Sequence, residues 1–135
     1  MYYESTRNNK LKKTFSEVLL LGLAEDGGLF IPKKWPKVSK KELSKFENMN
    51  YQQIAFHISK KFIENEVNDK DLKKIIRKSF KNFSEKKIAN IKNLGDGKWL
   101  LELFYGPTLA FKDYALQVVG NLFEYVLKKE KKKIT

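Results

Sequence analysis

Apolar residues recur at helical spacing in several stretches of the chain, separated by glycine, proline and charge. Phe15, Val18, Leu19, Leu21, Leu23 and Ala24 lie on one helical face, with Thr14 or Ser16 placed to cap its start. Gly27 and Gly28 stop that helix, so "DGGLFIP" reads as a turn into a short strand. Met1 to Ser5 supplies another short strand. Pro32 and Pro36 bracket a loop around Trp35, and Ser39 is placed to cap a short helix ending at Phe46 or Glu47. From Tyr51 onward Ile54, Ala55, Ile58 and Phe62 share a face. Asp69 is placed to cap a further helix on which Leu72, Ile75, Ile76, Ser79 and Phe80 recur. The pattern predicts a small, mainly helical unit up to Phe83. Beyond it the texture changes, and "GDG" between Leu94 and Trp99 marks a hairpin or the start of a strand.

The last helix has a different pattern. From Phe111 to Leu127 the polar residues Asp113, Gln117, Asn121 and Glu124 fall on one narrow stripe, and nearly everything else is apolar or small. A helix apolar over most of its circumference is built to be buried, with neighbours on several sides. The preceding residues supply few strands or helices for that purpose, so the chain reads as the front part of something larger. The run "KKEKKKIT" reads as a solvated charge run leading into two strand-like residues, Ile134 and Thr135.

Composition narrows the chemistry. With 41% hydrophobic and 13% aromatic residues in 135, the chain can build a core of single-domain size and is unlike a disordered sequence. It has no cysteine, which excludes disulfides and thiolate chemistry, and His57 is its sole histidine. A histidine metal site or a Ser-His pair fits poorly, and His57 reads as a structural or surface residue. No apolar run approaches the roughly 18 residues of a membrane span, and "MYYESTRNN" lacks the apolar core of a signal peptide. These features predict a soluble, cytoplasmic protein. The net charge of +12 raises the question of nucleic acid, but all 28 basic residues except Arg7 and Arg77 are lysine, dispersed along the chain. Sequence-reading surfaces lean on arginine's bidentate fork, so no specific nucleic-acid partner is expected.

Lys112, within "GPTLAFKDYALQ", stands where a cation is disfavoured. A helix start carries partial positive charge, which suits Asp113 and not a lysine. Desolvation beside Leu109, Phe111 and Leu116 would further disfavour the ammonium form and favour a neutral, nucleophilic amine. The alternative is a lysine that reaches from the first turn into water. On the same local grounds Thr108 reads as a helix cap and Phe111 as a core residue.

The stretch "ELFYGPTLAFKDYALQVVGNLFEYVL", Glu102 to Leu127, resembles the lysine segment of the threonine synthase family, whose pattern reads like E-L-F-H-G-P-T-x-A-F-K-D, then A-L-Q and a long apolar helix. "YESTRN" and "FSEVLLLGLAEDGGLFIPKKWP" resemble two further segments of that family, in the family's order. The resemblance implies an α+β, mainly helical N-terminal domain with short strands over residues 1–83. Residues 84–135 would then begin an α/β pyridoxal-phosphate domain of fold type II, similar to the tryptophan synthase β chain. It also implies a lyase of threonine biosynthesis that converts O-phospho-L-homoserine and water to L-threonine and phosphate. Lys112 would carry pyridoxal 5'-phosphate as a Schiff base and move protons on the substrate carbons. Phe111, Asp113 and Thr108 would flank the cofactor, and Ser5, Thr6 and Arg7 would lie on the substrate side, where "DGGL" is a further candidate. Asn8 and Tyr105 depart from the family's usual glycine and histidine. The Gly/Ser/Thr-rich loop that cradles the cofactor phosphate in that family is not found in these residues, and the expectation is that it follows downstream. The 135-residue chain is accordingly expected to be inactive alone, with the missing C-terminal part packing on the 112–127 helix. The alternative is a shortened, non-catalytic relative acting as an interaction module, or, less favoured, a basic nucleic-acid binder.

Overall fold

The computed structural model describes residues 1–131, and the strand-like pair Ile134–Thr135 lies outside the described residues. The elements run β1 (Tyr3–Ser5), β2 (Lys12–Lys13), α1 (Phe15–Leu21), β3 (Phe30–Pro32), α2 (Lys40–Phe46), α3 (Tyr51–Ile63), α4 (Asp69–Ser79), β4 (Asn90–Gly95), β5 (Lys98–Glu102) and α5 (Asp113–Glu130). β1 is the centre of a three-stranded antiparallel sheet in the order β2-β1-β3, with Tyr3 opposite both Lys13 and Pro32. β4 and β5 form a separate antiparallel hairpin. No helix among the described residues is long and apolar enough to cross a membrane.

Capping boxes start three of the helices. Thr14 with Glu17, Ser39 with Glu42 and Asn50 with Gln53 each exchange side-chain and backbone hydrogen bonds across the first turn. α4 departs from expectation, because its cap is Asn68 and not Asp69. Asn68 Oδ1 accepts from the Asp71 N–H at 2.9 Å, while Asp69 pairs with Lys60 at 2.8 Å. α1 also ends earlier than the apolar pattern suggests. Gly22 adopts φ 73° and its N–H donates to the Val18 carbonyl, leaving Leu23 exposed beyond the helix. The cap of α1 has a second contributor. Glu66, between α3 and α4, accepts from the Phe15 and Ser16 N–H groups at 2.7 and 2.8 Å, placing a carboxylate on the positive helix end.

The core lies between α3, α4 and α5, with Ile63, Val67, Leu72, Ile75, Ile76, Phe80, Ile88 and Leu122 buried together. An edge-on aromatic series crosses it: Tyr51 to Phe80 at 5.1 Å, Phe80 to Phe83 at 5.1 Å and Phe83 to Tyr114 at 4.9 Å. Buried Ser79 of α4 has its polar needs met. Its hydroxyl donates to the Ile75 carbonyl (2.8 Å) and accepts from Asn121 Nδ2 of α5 (3.0 Å). Asn121 and Glu124 of the polar α5 stripe thus face α4, Glu124 through an ion pair with Lys78 at 2.7 Å. The outward face of α5, including Leu116 and Val119, is exposed. Leu122 and Val126 of the same helix are buried, so only part of its apolar surface is covered. The β4–β5 hairpin is likewise uncovered, with Ile91, Trp99, Leu100 and Leu101 all exposed.

A polar knot closes the end of the β1–β3 pair. Buried Ser5 donates to the Asp26 carboxylate at 2.8 Å and accepts from the Arg7 N–H. Asp26 also accepts from the Gly28 N–H at 2.9 Å, and Thr6 Oγ1 accepts from the Leu29 N–H at 3.0 Å. The Gly28 N–H and the Ser5 hydroxyl hold the Asp26 carboxyl below its usual range. Gly28 permits this approach because a Cβ there would overlap Ser5 Oγ. G28A should therefore cost about 1–3 kcal/mol by overpacking, read as a lower urea midpoint.

Tyr3 is buried, and its hydroxyl donates to the Phe62 carbonyl at 2.9 Å, tying the sheet to α3. Burial, then the charges of Glu66 and Glu64, push its phenol up to about 12. The unfolded chain ionises this tyrosine near the usual 10, so the stabilisation is complete below that pH and is lost as pH rises through about 12. Urea midpoints across this window should fall more steeply for the native chain than for Y3F. That comparison isolates the contribution of the Tyr3 hydroxyl. At neutral pH Y3F should be less stable by about 1 kcal/mol through loss of the Phe62 bond.

Candidate functional site

The segment between β5 and α5, residues 103–112, contains Lys112 and is fixed at both ends. At its start the Tyr105 carbonyl accepts from the Ser84 N–H at 2.9 Å. The Tyr105 hydroxyl donates to Glu102 Oε2 at 2.5 Å, and Asn90 Nδ2 donates to the same oxygen at 2.9 Å. The Tyr105 and Asn90 donors hold the Glu102 carboxyl below its usual range, and the same bond to Glu102 raises the phenol.

Asp113, the first residue of α5, anchors the other end. Its side chain is 3% exposed, and Oδ2 accepts from both the N–H and the hydroxyl of Thr108, at 2.8 and 2.9 Å. Gln117 Nε2 lies 3.5 Å from the other oxygen. The carboxylate rests on buried Gly106, where a Cβ would overlap it. Burial pushes this carboxyl up, and the Thr108 N–H, the Thr108 hydroxyl and Gln117 outweigh it, so it stays below the usual range. Thr108 is thus not a helix cap as expected, because its hydroxyl donates to a side chain instead of accepting from a helical N–H. Between the two residues Leu109 adopts φ 60°, and its N–H donates to the Gly106 carbonyl at 3.0 Å.

Lys112 itself takes the cap position of α5 in right-handed helical geometry, without a side-chain cap bond. Its carbonyl accepts from the Ala115 and Leu116 N–H groups at 3.1 and 2.8 Å, so its backbone is fixed. Its side chain is exposed, with Nζ 4.6 Å from the centre of the Phe111 ring. The desolvation inferred from sequence is missing among the described residues. Leu109, Phe111 and Leu116 are 71, 63 and 57% exposed, so the apolar neighbours do not enclose the amine and Phe111 is not a core residue. Local apolarity buries a group only when another surface closes over it. What results is a primary amine on a rigid base, open to a carbonyl compound approaching from outside.

The other candidates lie apart from this segment. Ser5, Thr6 and Arg7 belong to the knot around Asp26, where Arg7 also donates to the Asp26 carbonyl at 3.1 Å. None of the described hydrogen bonds joins them to Lys112. Gly27 and Gly28 form the turn of that knot. His57 is exposed between the rings of Phe46 and Phe56, on a cleft of about 490 Å³ between α3 and α4 that also contains Lys73 and Arg77. The sequence reading passed over Gly106 and the Thr108–Asp113 pairing. The available signal was the G-P-T-x4-D spacing, with glycine placed to admit the acid.

A protein-family profile described as "Threonine synthase N terminus" matches residues 2–80. The threonine synthase of Pseudomonas aeruginosa is 39% identical over 134 residues, which cover 99% of this chain and 29% of that protein. Among solved structures, the PLP-bound threonine synthase from Brucella melitensis aligns with a TM-score of 0.95 at 32% identity, over 98% of this chain and 29% of that one. The yeast enzyme aligns with a TM-score of 0.89 at 40% identity, over 99% and 28%. This chain therefore spans less than a third of the length of these relatives. With more than half of its residues matched by that profile, the chain belongs to the threonine synthase N-terminus family.

Proposed function

We propose that this chain is the N-terminal part of a pyridoxal-phosphate-dependent threonine synthase, a cytoplasmic lyase that converts O-phospho-L-homoserine and water to L-threonine and phosphate. The observation that carries this reading is Lys112, an exposed amine on a fixed backbone, set in "GPTLAFKD" at the start of α5. A pyridoxal aldehyde needs such an amine, so the residues present fit covalent anchoring of the cofactor. When bound, the cofactor supplies an electron sink for negative charge on substrate carbon.

The chain's own residues divide the remaining work. The Lys112 amine carries protons to and from the substrate carbons, which calls for a free tip and a fixed base. Phe111 offers an open ring beside it, while Thr108 and Asp113 commit their polar atoms to each other. Arg7, held by Ser5 and the Asp26 carbonyl, keeps a guanidinium suited to an anionic substrate, and Ser5 and Thr6 lie on the same substrate side. Residues 1–83 serve as the N-terminal domain, and residues 84–135 begin the cofactor domain. The open faces of α5 and the hairpin support this division, because both have the apolar exposure of elements meant to be covered. The rest of the enzyme would cover them and supply the cradle for the cofactor phosphate.

K112A in the full-length enzyme tests the reading. Borohydride reduction followed by peptide mass mapping should place the cofactor on the Lys112 peptide of the native enzyme and nowhere in the variant. Turnover should fall at least about 10²-fold. Because Lys112 is exposed, thermal stability of the variant without cofactor should stay within about 0.5 kcal/mol of native. Retained turnover would overturn the assignment.

A further inference from the structure

We infer that Asp113 is the positioning residue for Lys112: its buried carboxylate ties Thr108 to the first turn of α5 and so sets the backbone from which the lysine projects. This rests on the proposed role of Lys112 and adds a residue to it. Lys112 lies between two constraints. On its C-terminal side the helix holds its carbonyl through Ala115 and Leu116. On its N-terminal side the chain must turn sharply within residues 108–111, and it does so with Leu109 in left-handed geometry. A non-glycine residue there costs roughly 1–2 kcal/mol, so the loop persists only if something else specifies it. The Asp113 carboxylate does this by closing a ring from residue 113 back to residue 108 with two charge-assisted hydrogen bonds to one residue. Gly106 gives the carboxylate room, and the Asp113 N–H donates to the Ala110 carbonyl at 3.0 Å inside the same ring.

The positive helix start favours an acid at Asp113, but it does not require the carboxylate to reach back to Thr108. Asp113 is buried, and no described ion pair gives it a cation, although Lys112 is its neighbour in sequence. A neutral hydrogen-bonding side chain would close a loop at a helix start without burying a charge. The carboxylate accepts at both oxygens, from the two donors of Thr108 at one and from Gln117 Nε2 at the other, whereas an amide would place an NH2 donor at one of these positions. The two adjacent residues face opposite environments. Asp113 turns into the protein to hold the loop, and Lys112 is left open to solvent.

The test uses the full-length enzyme stripped of cofactor and follows the rate at which pyridoxal phosphate becomes attached to the Lys112 peptide, trapped by borohydride at timed intervals. D113A should slow attachment by about 10-fold or more, because misplacing a reacting group by about an ångström costs up to 10²-fold. T108V removes one of the two donors at nearly constant volume and should slow it by roughly 5-fold, whereas T108S restores the hydroxyl and should return the native rate. A purely structural role would lower the melting temperature and leave the attachment rate of the folded protein unchanged. If D113A does not fold, the T108V and T108S pair decides the matter. Native attachment rates in folded D113A or T108V, with the cofactor on the Lys112 peptide, overturn the positioning role and leave the lysine assignment standing. Cofactor absent from the Lys112 peptide of the native enzyme overturns both.

Discussion

The packing of α5 against α4 is the constraint on which the rest depends. Leu122 joins the core, and Asn121 reaches the buried Ser79 hydroxyl. Outside them Glu124 pairs with Lys78. Because α5 is held along this line, its first turn is held too, and with it the segment that carries Lys112. The aromatic series from Tyr51 through Phe80 and Phe83 to Tyr114 adds rigid area to the same seam. Tyr114 extends the seam further, donating to the Ile88 carbonyl at 2.6 Å. The far end of α5 is tied down as well, since Lys129 donates to the Glu66 carbonyl while the Glu66 carboxylate caps α1. One residue between α3 and α4 thus links the first helix to the last.

This seam also explains why α5 leaves part of its apolar surface open. Its polar stripe is used against α4 and the Lys112 segment, where Gln117, Asn121 and Glu124 find specific partners. The apolar remainder is divided between the core and open surface. A helix that uses its polar residues inward and leaves leucine and valine outward is suited to a second layer of protein. That agrees with a chain spanning under a third of the relatives it matches.

Much of this was legible in sequence, and the failures have physical causes. The caps at Thr14 and Ser39 are local signals and were readable, whereas the equivalent box at Asn50 was passed over. At α4 two cap-forming residues stand side by side, and only geometry decides for Asn68 over Asp69. β2 had no signal, because two lysines become a strand only through pairing with Tyr3 and Glu4. Lys112 and its motif were conspicuous, yet its exposure was not, since burial depends on surfaces outside the segment. The Thr108–Asp113 ring was hidden for a different reason. It depends on Leu109 taking a left-handed conformation that nothing about a leucine announces.

The uncovered hairpin has a consequence for how such a protein is made. During synthesis N-terminal regions fold first, at about 5–20 residues per second of chain growth. A ribbon of two strands leaves an outer row of unpaired N–H and C=O groups on each side, flanked here by exposed Ile91, Trp99 and Leu101. Neighbouring nascent chains on one polysome could zip edge to edge through it. Lys92 and Lys98 on the same ribbon oppose this by repulsion between copies, acting as gatekeepers against aggregation.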